Sequence, residues 1–330
     1  MATVFESLPG VEVPVAAIAS ELAKLWEGEP GTGADAPSEF RASQMNFVLH
    51  FGLLADVEDA KRQFDTVVAF ARRYPSRTLI LCPQPHEQTG EDMRAKIFSE
   101  CYIGSSRQEM SCCEMVFLSY PFSSRPFLES QVSICIEGDL PLYYWPHGIA
   151  NPHGLSDYSW LQRTAKRIIL DSAEDAPELV SMFQSSQPGR VSDLAYARLL
   201  PVRQSLGQFL SGVAPKTLVD GLRSLTLEHQ PHRAAEAVCL AEWVKDGLVR
   251  CGLPAGNGVG FKLVPVSDEA APTFRLRFGY ATPGRYFNWE VDCGHAEAMF
   301  DADFGTGKMS LPTSTCLLNP AAALGEALFF

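Results

Sequence analysis

Two histidines flank an asparagine in Trp145-Pro146-His147-Gly148-Ile149-Ala150-Asn151-Pro152-His153-Gly154. Neutral imidazoles are common metal ligands. No third donor stands beside this pair, so solvated or hydrogen-bonded histidines are expected and no metal is assigned. The acidic group His295, Glu297, Asp301 and Asp303 has oxygen donors suited to a divalent ion. Strand alternation places Asp301 and Asp303 on one face, where solvation is expected. Other polar residues sit at the ends of apolar runs. Asp139 precedes a short strand that Trp145 closes, and Asp171 and Ser172 follow the strand at 167–170. In open α/β sheets ligands bind outside the carboxyl ends of the strands. Asp139, Trp145, Asp171 and Ser172 are therefore a candidate crevice for a sugar phosphate or nucleotide. The plain alternative is that Asp171 and Ser172 cap the next helix. Asp193, Arg198 and Arg203 form a third polar set, suited to ion pairs or to guanidinium forks that hold a carboxylate or phosphate.

Other catalytic signatures are missing. Phe304-Gly305-Thr306-Gly307-Lys308 has the end of a phosphate loop, but Ala302 and Met309 occupy the positions of the required glycine and hydroxyl. Gly256-Asn257-Gly258-Val259-Gly260 follows a helix rather than a strand and lacks the dinucleotide spacing. The chain has no G-x-S-x-G elbow. Its nine cysteines include no C-x-x-C pair, so reduced thiols, mostly buried as small hydrophobes, are expected. A redox switch among Cys101, Cys112 and Cys113 is the sharper alternative, with Cys101 pairing to Cys112 or Cys113. No cofactor is expected.

The elements that must position these groups follow from hydrophobic period. Helical spacing marks 15–26, and a glycine–proline linker occupies 28–37. Met45 to Leu54 is a strand, Asp56 caps a helix carrying Phe64, Val67 and Val68, and Arg77 to Cys82 is a second strand. Further strands are expected at 96–103, 114–119, 140–145 and 167–170, and helices at 127–136, 155–165 and 175–183. This alternation predicts a mainly parallel sheet sandwiched by helices. Ser185 to Gly189 is the clearest boundary. Beyond it, 194–210 is helical with a break at Pro201, 222–227 is a strand, and a long helix starts at Pro231. Short strands at 261–266, 274–280, 286–291, 296–300 and 309–311 predict an antiparallel meander, and 321–328 is a closing helix. The expected organisation is an N-terminal helix and linker (1–44), an α/β domain (45–188) and an α+β domain (189–330).

Length and charge bound the rest. The 330 residues suffice for about two domains. With 27 Lys+Arg against 39 Asp+Glu the formal net charge is −12. That field repels nucleic acid and anionic membranes. The N-terminus has no basic and apolar secretory pattern, and no apolar run is long enough to span a bilayer. A soluble cytoplasmic protein is expected.

Several of these pieces, in this order, resemble the glucose-6-phosphate dehydrogenase assembly protein family OpcA. Tyr74-Pro75-Ser76-Arg77 is similar to its His-Pro-Ser-Arg motif, with the histidine replaced. Cys112-Cys113-Glu114 resembles a Cys-Ser-Glu segment, and Asp139-Leu140-Pro141 to Trp145 an Asp-Leu-Pro strand ending in tryptophan, with Pro146 in place of a second tryptophan. Leu170-Asp171-Ser172 matches a Val-Asp-Ser strand end. Residues 193–203, from Asp193 to Arg203, resemble an Asp-Leu-x-Trp-x-Arg-Leu-x-Pro-Trp-Arg segment in which Tyr196 and Val202 replace tryptophans. Leu240 to Val244, with Trp243, echoes a Leu-x-x-Trp-Leu helix. The resemblance covers about 45–252 and marks a divergent member. It implies a non-enzymatic protein that binds glucose-6-phosphate dehydrogenase, favours its active oligomer and so supports the oxidative pentose phosphate pathway. It also implies, for some members, tuning by cysteine redox state. The implied partner or ligand surface is Arg77, Asp139, Leu140, Pro141, Trp145, His147, Asp171, Ser172, Asp193, Arg198, Arg203 and Trp243.

Overall fold

Met45–Phe51 buries seven consecutive side chains, which requires cover on both faces. The computed structural model, which describes residues 3–24, 43–85, 92–103, 110–254, 259–268 and 271–330, places this run inside an eight-stranded sheet. The expected linker at 28–37 and residues 256–258 of the glycine loop lie outside the described residues. The chain divides into two units, residues 1–193 with 327–330, and residues 194–326.

In the first unit the strands are β1 (Val11–Val13), β2 (Met45–Phe51), β3 (Ser76–Pro83), β4 (Arg94–Ile103), β5 (Met110–Tyr120), β6 (Leu142–His147), β7 (Arg167–Leu170) and β8 (Val191–Asp193). Their spatial order is β1-β4-β5-β3-β2-β6-β7-β8. β2, β3, β5, β6, β7 and β8 run parallel. β4 pairs antiparallel with β5, and β1 antiparallel with β4. Counted along the chain, the six parallel strands stand in the order 3-2-1-4-5-6. That is the doubly wound arrangement, with its switch point between β2 and β6. The sheet is mainly parallel, as expected. The sequence predicts a break at 188/189. The unit instead runs to Asp193, because β8 pairs with β7 through Leu170 and Asp193.

The helices of this unit are α1 (Val4–Ser7), α2 (Ile18–Lys24), α3 (Val57–Ala71), α4 (Leu128–Cys135), α5 (Ser159–Thr164) and α6 (Pro177–Ser186). Strand alternation sends Val48, Leu79, Val116 and Tyr144 to one face, where they meet Leu22, Val132, Leu161 and Phe183 from α2, α4, α5 and α6. On the other face Phe47 meets Phe70 of α3 at 6.0 Å and Trp145 at 6.4 Å between ring centroids. Residues 152–158 form a 3-10 segment before α5 rather than one α-helix. Pro152 at its start and Gly154 inside it disfavour regular α-helix.

The second unit holds α7 (Leu194–Arg198), α8 (Leu200–Ser211), α9 (Pro215–Val219), β9 (Leu222–His229), α10 (Ala234–Arg250), β10 (Gly260–Pro265), β11 (Phe274–Tyr280), β12 (Tyr286–Asp292), β13 (Glu297–Asp303), β14 (Lys308–Ser314) and most of α11 (Pro320–Phe329). Pro201 stands in the first turn of α8, where its missing N–H costs nothing, so the predicted break divides two helices. β11 to β14 form the predicted antiparallel meander, and β9 joins it beside β11. β10 departs from it and pairs parallel with β9. The intervening α10 acts as a crossover that returns the chain in the same direction. Phe274, Leu276 and Phe278 point inward with Trp289 and Phe300, and pack with Leu206 of α8 and Leu240 of α10.

At the end of α11, Phe329 returns to the first unit. Its ring lies 4.7 Å from Tyr74, 6.2 Å from Tyr143 and 6.4 Å from Phe70. Among the described residues no helix is long and apolar enough to cross a membrane.

Candidate functional site

The carboxyl ends of β2 and β6 define the switch point of the first sheet. In a dinucleotide-binding turn, glycines leave room there for a pyrophosphate. Here Gly52 leaves room for the opposing loop instead. Its N–H donates to His147 O at 2.6 Å, and Leu54 N–H donates to Gly148 O at 3.0 Å. A Cβ on Gly52 would lie 2.1 Å from Gly148 O. Gly148 has φ +66°, and a Cβ there would lie 2.9 Å from Ala55 N. The two loops are thus locked backbone to backbone. The Asp56 side chain accepts from Asp59 N at 2.8 Å and caps α3, whose first turn also carries Glu58 and Asp59. An anion placed at this helix end would meet carboxylates, opposing the helix dipole's attraction.

Against this lock stands a compact polar cluster. His147 Nε2 lies 2.7 Å from Asp59 Oδ2. Gln63 Nε2 donates to Asp59 Oδ1 at 3.2 Å and to Glu174 Oε2 at 3.0 Å. Arg62 pairs with Asp59 at 2.7 Å and reaches Glu174 at 3.6 Å. The turn after β7 closes on itself: Asp171 N donates to Asp175 Oδ2 at 2.7 Å, and Ala173 N to Asp171 Oδ1 at 3.0 Å. Burial pushes the Asp175 carboxyl up to about 7. The backbone N–H of Asp171 and the nearby His147 work the other way.

The sequence-predicted residues do not converge as one crevice. β6 runs two residues past Trp145, so His147 stands at its tip, and Trp145 is buried in the strand. Asp139 is exposed before the amino end of β6, at the opposite edge from Asp171. Leu140 and Pro141 are held by Asn46: Asn46 Nδ2 donates to Leu140 O at 3.2 Å, and Asn46 N to Pro141 O at 2.9 Å. Asp171 shapes the turn, and Ser172 N donates to Asp193 Oδ1 at 3.1 Å, so Asp193 is used inside the first unit. Arg77 Nε donates to Glu114 at 3.0 Å, and its guanidinium also pairs with Glu137. In the second unit Arg198 Nε donates to buried Glu236 at 3.0 Å. Arg203 lies 3.8 Å over the Tyr196 ring and donates to its hydroxyl at 2.7 Å. Of the acidic group, Asp301 accepts from Tyr286 Oη at 3.0 Å, and Asp303 from Gly305 N at 2.7 Å. Trp243 is half-buried on α10 and lines an apolar cleft of about 410 Å³ with Leu210, Leu218 and Phe278.

Cys101 is disulfide-bonded. In the β4–β5 register it stands opposite Cys112. Cys113 is free and buried, and burial pushes its thiol up to about 11. A separate cavity of about 480 Å³ lies beside the β2–α3 turn, lined by Phe5, Phe51, Leu53, Gln84, Arg94 and Ser119 among others. Arg94, the cation in its wall, is already bound to Glu12 at 2.6 Å.

Sequence reasoning missed Asp59, Gln63 and Glu174. Their donors come from α3 and from the turn after β7, far from His147 in the chain, so no local spacing announces them. The Asp56-x-x-Asp59 cap was the one available hint.

Residues 67–187 match the family model described as "Glucose-6-phosphate dehydrogenase subunit N-terminal domain", OpcA_G6PD_assem. No curated protein sequence matches the chain. Among solved structures, glucose-6-phosphate 1-dehydrogenase from Mycobacterium avium aligns over 87% of each chain with 12% identity and a TM-score of 0.44. A super-repressor mutant of Gal80p from Saccharomyces cerevisiae aligns over 86% of this chain and 82% of its own, with 8% identity and a TM-score of 0.45. Aldose-aldose oxidoreductase from Caulobacter crescentus aligns over 86% of this chain and 87% of its own, with 11% identity and a TM-score of 0.41.

Proposed function

Since residues 67–187 belong to the glucose-6-phosphate dehydrogenase assembly family OpcA, we propose that this chain binds glucose-6-phosphate dehydrogenase and favours its active oligomer, without catalysing a reaction itself. The family domain carries this reading. The locked switch point supports its non-catalytic half, because Gly148 O fills the space a Cβ of Gly52 would need, and carboxylates crowd the end of α3. A binder shifts an oligomer equilibrium only as far as its affinities for the two states differ. The chain should therefore prefer the assembled dehydrogenase. Adding it to purified dehydrogenase from the same source is expected to raise the oligomer mass by light scattering and lower the KM. Unchanged mass and KM at micromolar concentrations, with thiols reduced or oxidised, would end this reading. The Cys101 disulfide enters the same assay. If the cysteines tune the function, reduction changes the size of the activation.

The partner surface we assign is the apolar cleft around Trp243. Of the tryptophan positions marked by the resemblance, Trp145 is buried while Trp243 stays half-exposed. Interface energy concentrates in such aromatic anchors. Trp243→Ala is expected to weaken dehydrogenase binding by roughly tenfold or more, with the circular dichroism of the free chain unchanged. Wild-type affinity in this variant would move the docking surface elsewhere. The competing reading, a sugar-phosphate or nucleotide binder, has the cavity at Gln84 in its favour. The pairing of Arg94 with Glu12 weighs against a phosphate there.

A further inference from the structure

Asp59, His147 and Glu174 each offer one donor atom, and the three atoms lie within 4.8 Å of one another. Ligands bound at about 2.1 Å around one tetrahedral ion stand about 3.4 Å apart. The group therefore closes on a cation after a shift of at most about 1.4 Å. Glu174 can supply it, since its side chain is 39% exposed on the turn after β7. The guanidinium that offsets both carboxylates, Arg62, is 61% exposed and can withdraw into solvent. Gln63, buried between Asp59 and Glu174, holds the two carboxylates toward each other.

A second observation comes from the imidazole itself. His147 is only 3% exposed. Its Nε2 is committed to the cluster, and its Nδ1 is buried with no hydrogen-bond partner. Asp175 Oδ1, on the turn that carries Glu174, is also buried and unpartnered. A metal-bound histidine characteristically donates its other ring N–H to a carboxylate. Each of these two buried atoms lacks its hydrogen bond. One nitrogen and two oxygen donors suit a borderline cation better than magnesium or calcium, which take oxygen alone.

We propose that Asp59, His147 and Glu174 bind one zinc-class divalent cation at the carboxyl edge of the first sheet, with water completing its shell. The ion fastens the start of α3, the tip of β6 and the turn after β7 to one another. It acts as a structural clasp across the switch point, and the site is independent of the dehydrogenase reading.

The test uses the full chain alone, stripped with chelator and titrated with zinc by calorimetry, then with cobalt by absorption. Free cysteines such as Cys239, Cys251, Cys293 and Cys316 are competing ligands, and cobalt distinguishes them, since thiolate ligation adds a near-ultraviolet charge-transfer band. The expected result is one saturable equivalent, visible cobalt bands without the thiolate band, and a rise in thermal midpoint with zinc. Glu174→Gln, a change on an exposed turn, should weaken binding roughly tenfold or more and abolish that rise. Asp59→Asn should do the same. No saturable binding in the wild-type chain, equal affinity in Glu174→Gln and Asp59→Asn, or a thiolate band would each overturn the proposal.

Discussion

Gly52→Ala is expected to break the first unit. The added Cβ would stand 2.1 Å from Gly148 O, 2.5 Å from Gly148 C and 2.6 Å from Ile149 Cα. All three are backbone atoms, so no side-chain rotation relieves the clash. The β2–α3 turn must part from the β6 loop, and the bonds from Gly52 N and Leu54 N are lost together. Ordinary overpacking costs about 1–3 kcal/mol, and each broken hydrogen bond adds about 1 kcal/mol. A loss of roughly 3–5 kcal/mol, or failure to accumulate folded protein, follows. Gly154→Ala is the control, because nothing lies within 4 Å of the position its Cβ would take. Its urea midpoint should match wild type to within about 0.5 kcal/mol. If Gly52→Ala also unfolds at the wild-type midpoint, the loops are not locked as described.

The second large effect is acid sensitivity centred on His50. This side chain is buried in β2, with Nδ1 2.8 Å from Tyr144 Oη and Nε2 3.3 Å from Tyr120 Oη. Tyr120 Oη is in turn 2.9 Å from Tyr158 Oη. The groups facing the imidazole are thus three phenols, with the Arg125 guanidinium acting from further off. Burial, with a smaller push from Arg125, lowers the His50 pKa from 6.5 to about 3. Between those values the unfolded chain binds a proton that the folded chain refuses. The contribution is therefore intact above about pH 6.5 and drains away as the pH falls toward 3. Its slope approaches 1.4 kcal/mol per pH unit. Carboxylates elsewhere also respond to acid, so the comparison is with His50→Gln, whose amide can still bond a phenol. From about pH 6 to pH 4 the wild-type protein should lose about 2–3 kcal/mol more than the variant in urea unfolding. Parallel pH profiles for the two would show that His50 is not held neutral by its surroundings.

How far the sequence could be read depended on the range over which each feature is encoded. Elements marked by local period came through. The apolar run at Phe47 to Phe51, the Asp56 cap and the alternation from Phe274 to Phe278 each found the expected structure. Features decided by partners across the fold did not. Trp145 is expected to close its strand, yet both Pro146 and His147 pair with β2. The parallel placement of β10 depends on where α10 delivers the chain, which the period of Phe261 to Pro265 cannot express. The candidate cation site draws on residues separated by up to 115 positions, Asp59 to Glu174. Gly52 falls inside the strand expected from Met45 to Leu54, and its special role depends on Gly148, which only strand order brings near.

The return of Phe329 to Phe70, Tyr74 and Tyr143 has a consequence for biosynthesis. A ribosome releases all eight strands of the first sheet well before it adds residue 329. The first unit consequently waits, through synthesis of the entire second unit, with an aromatic notch uncovered. Its last piece, at the end of α11, is made only after β14. The nascent protein must keep that greasy notch from other chains for as long as translation takes to travel from Asp193 to Phe329.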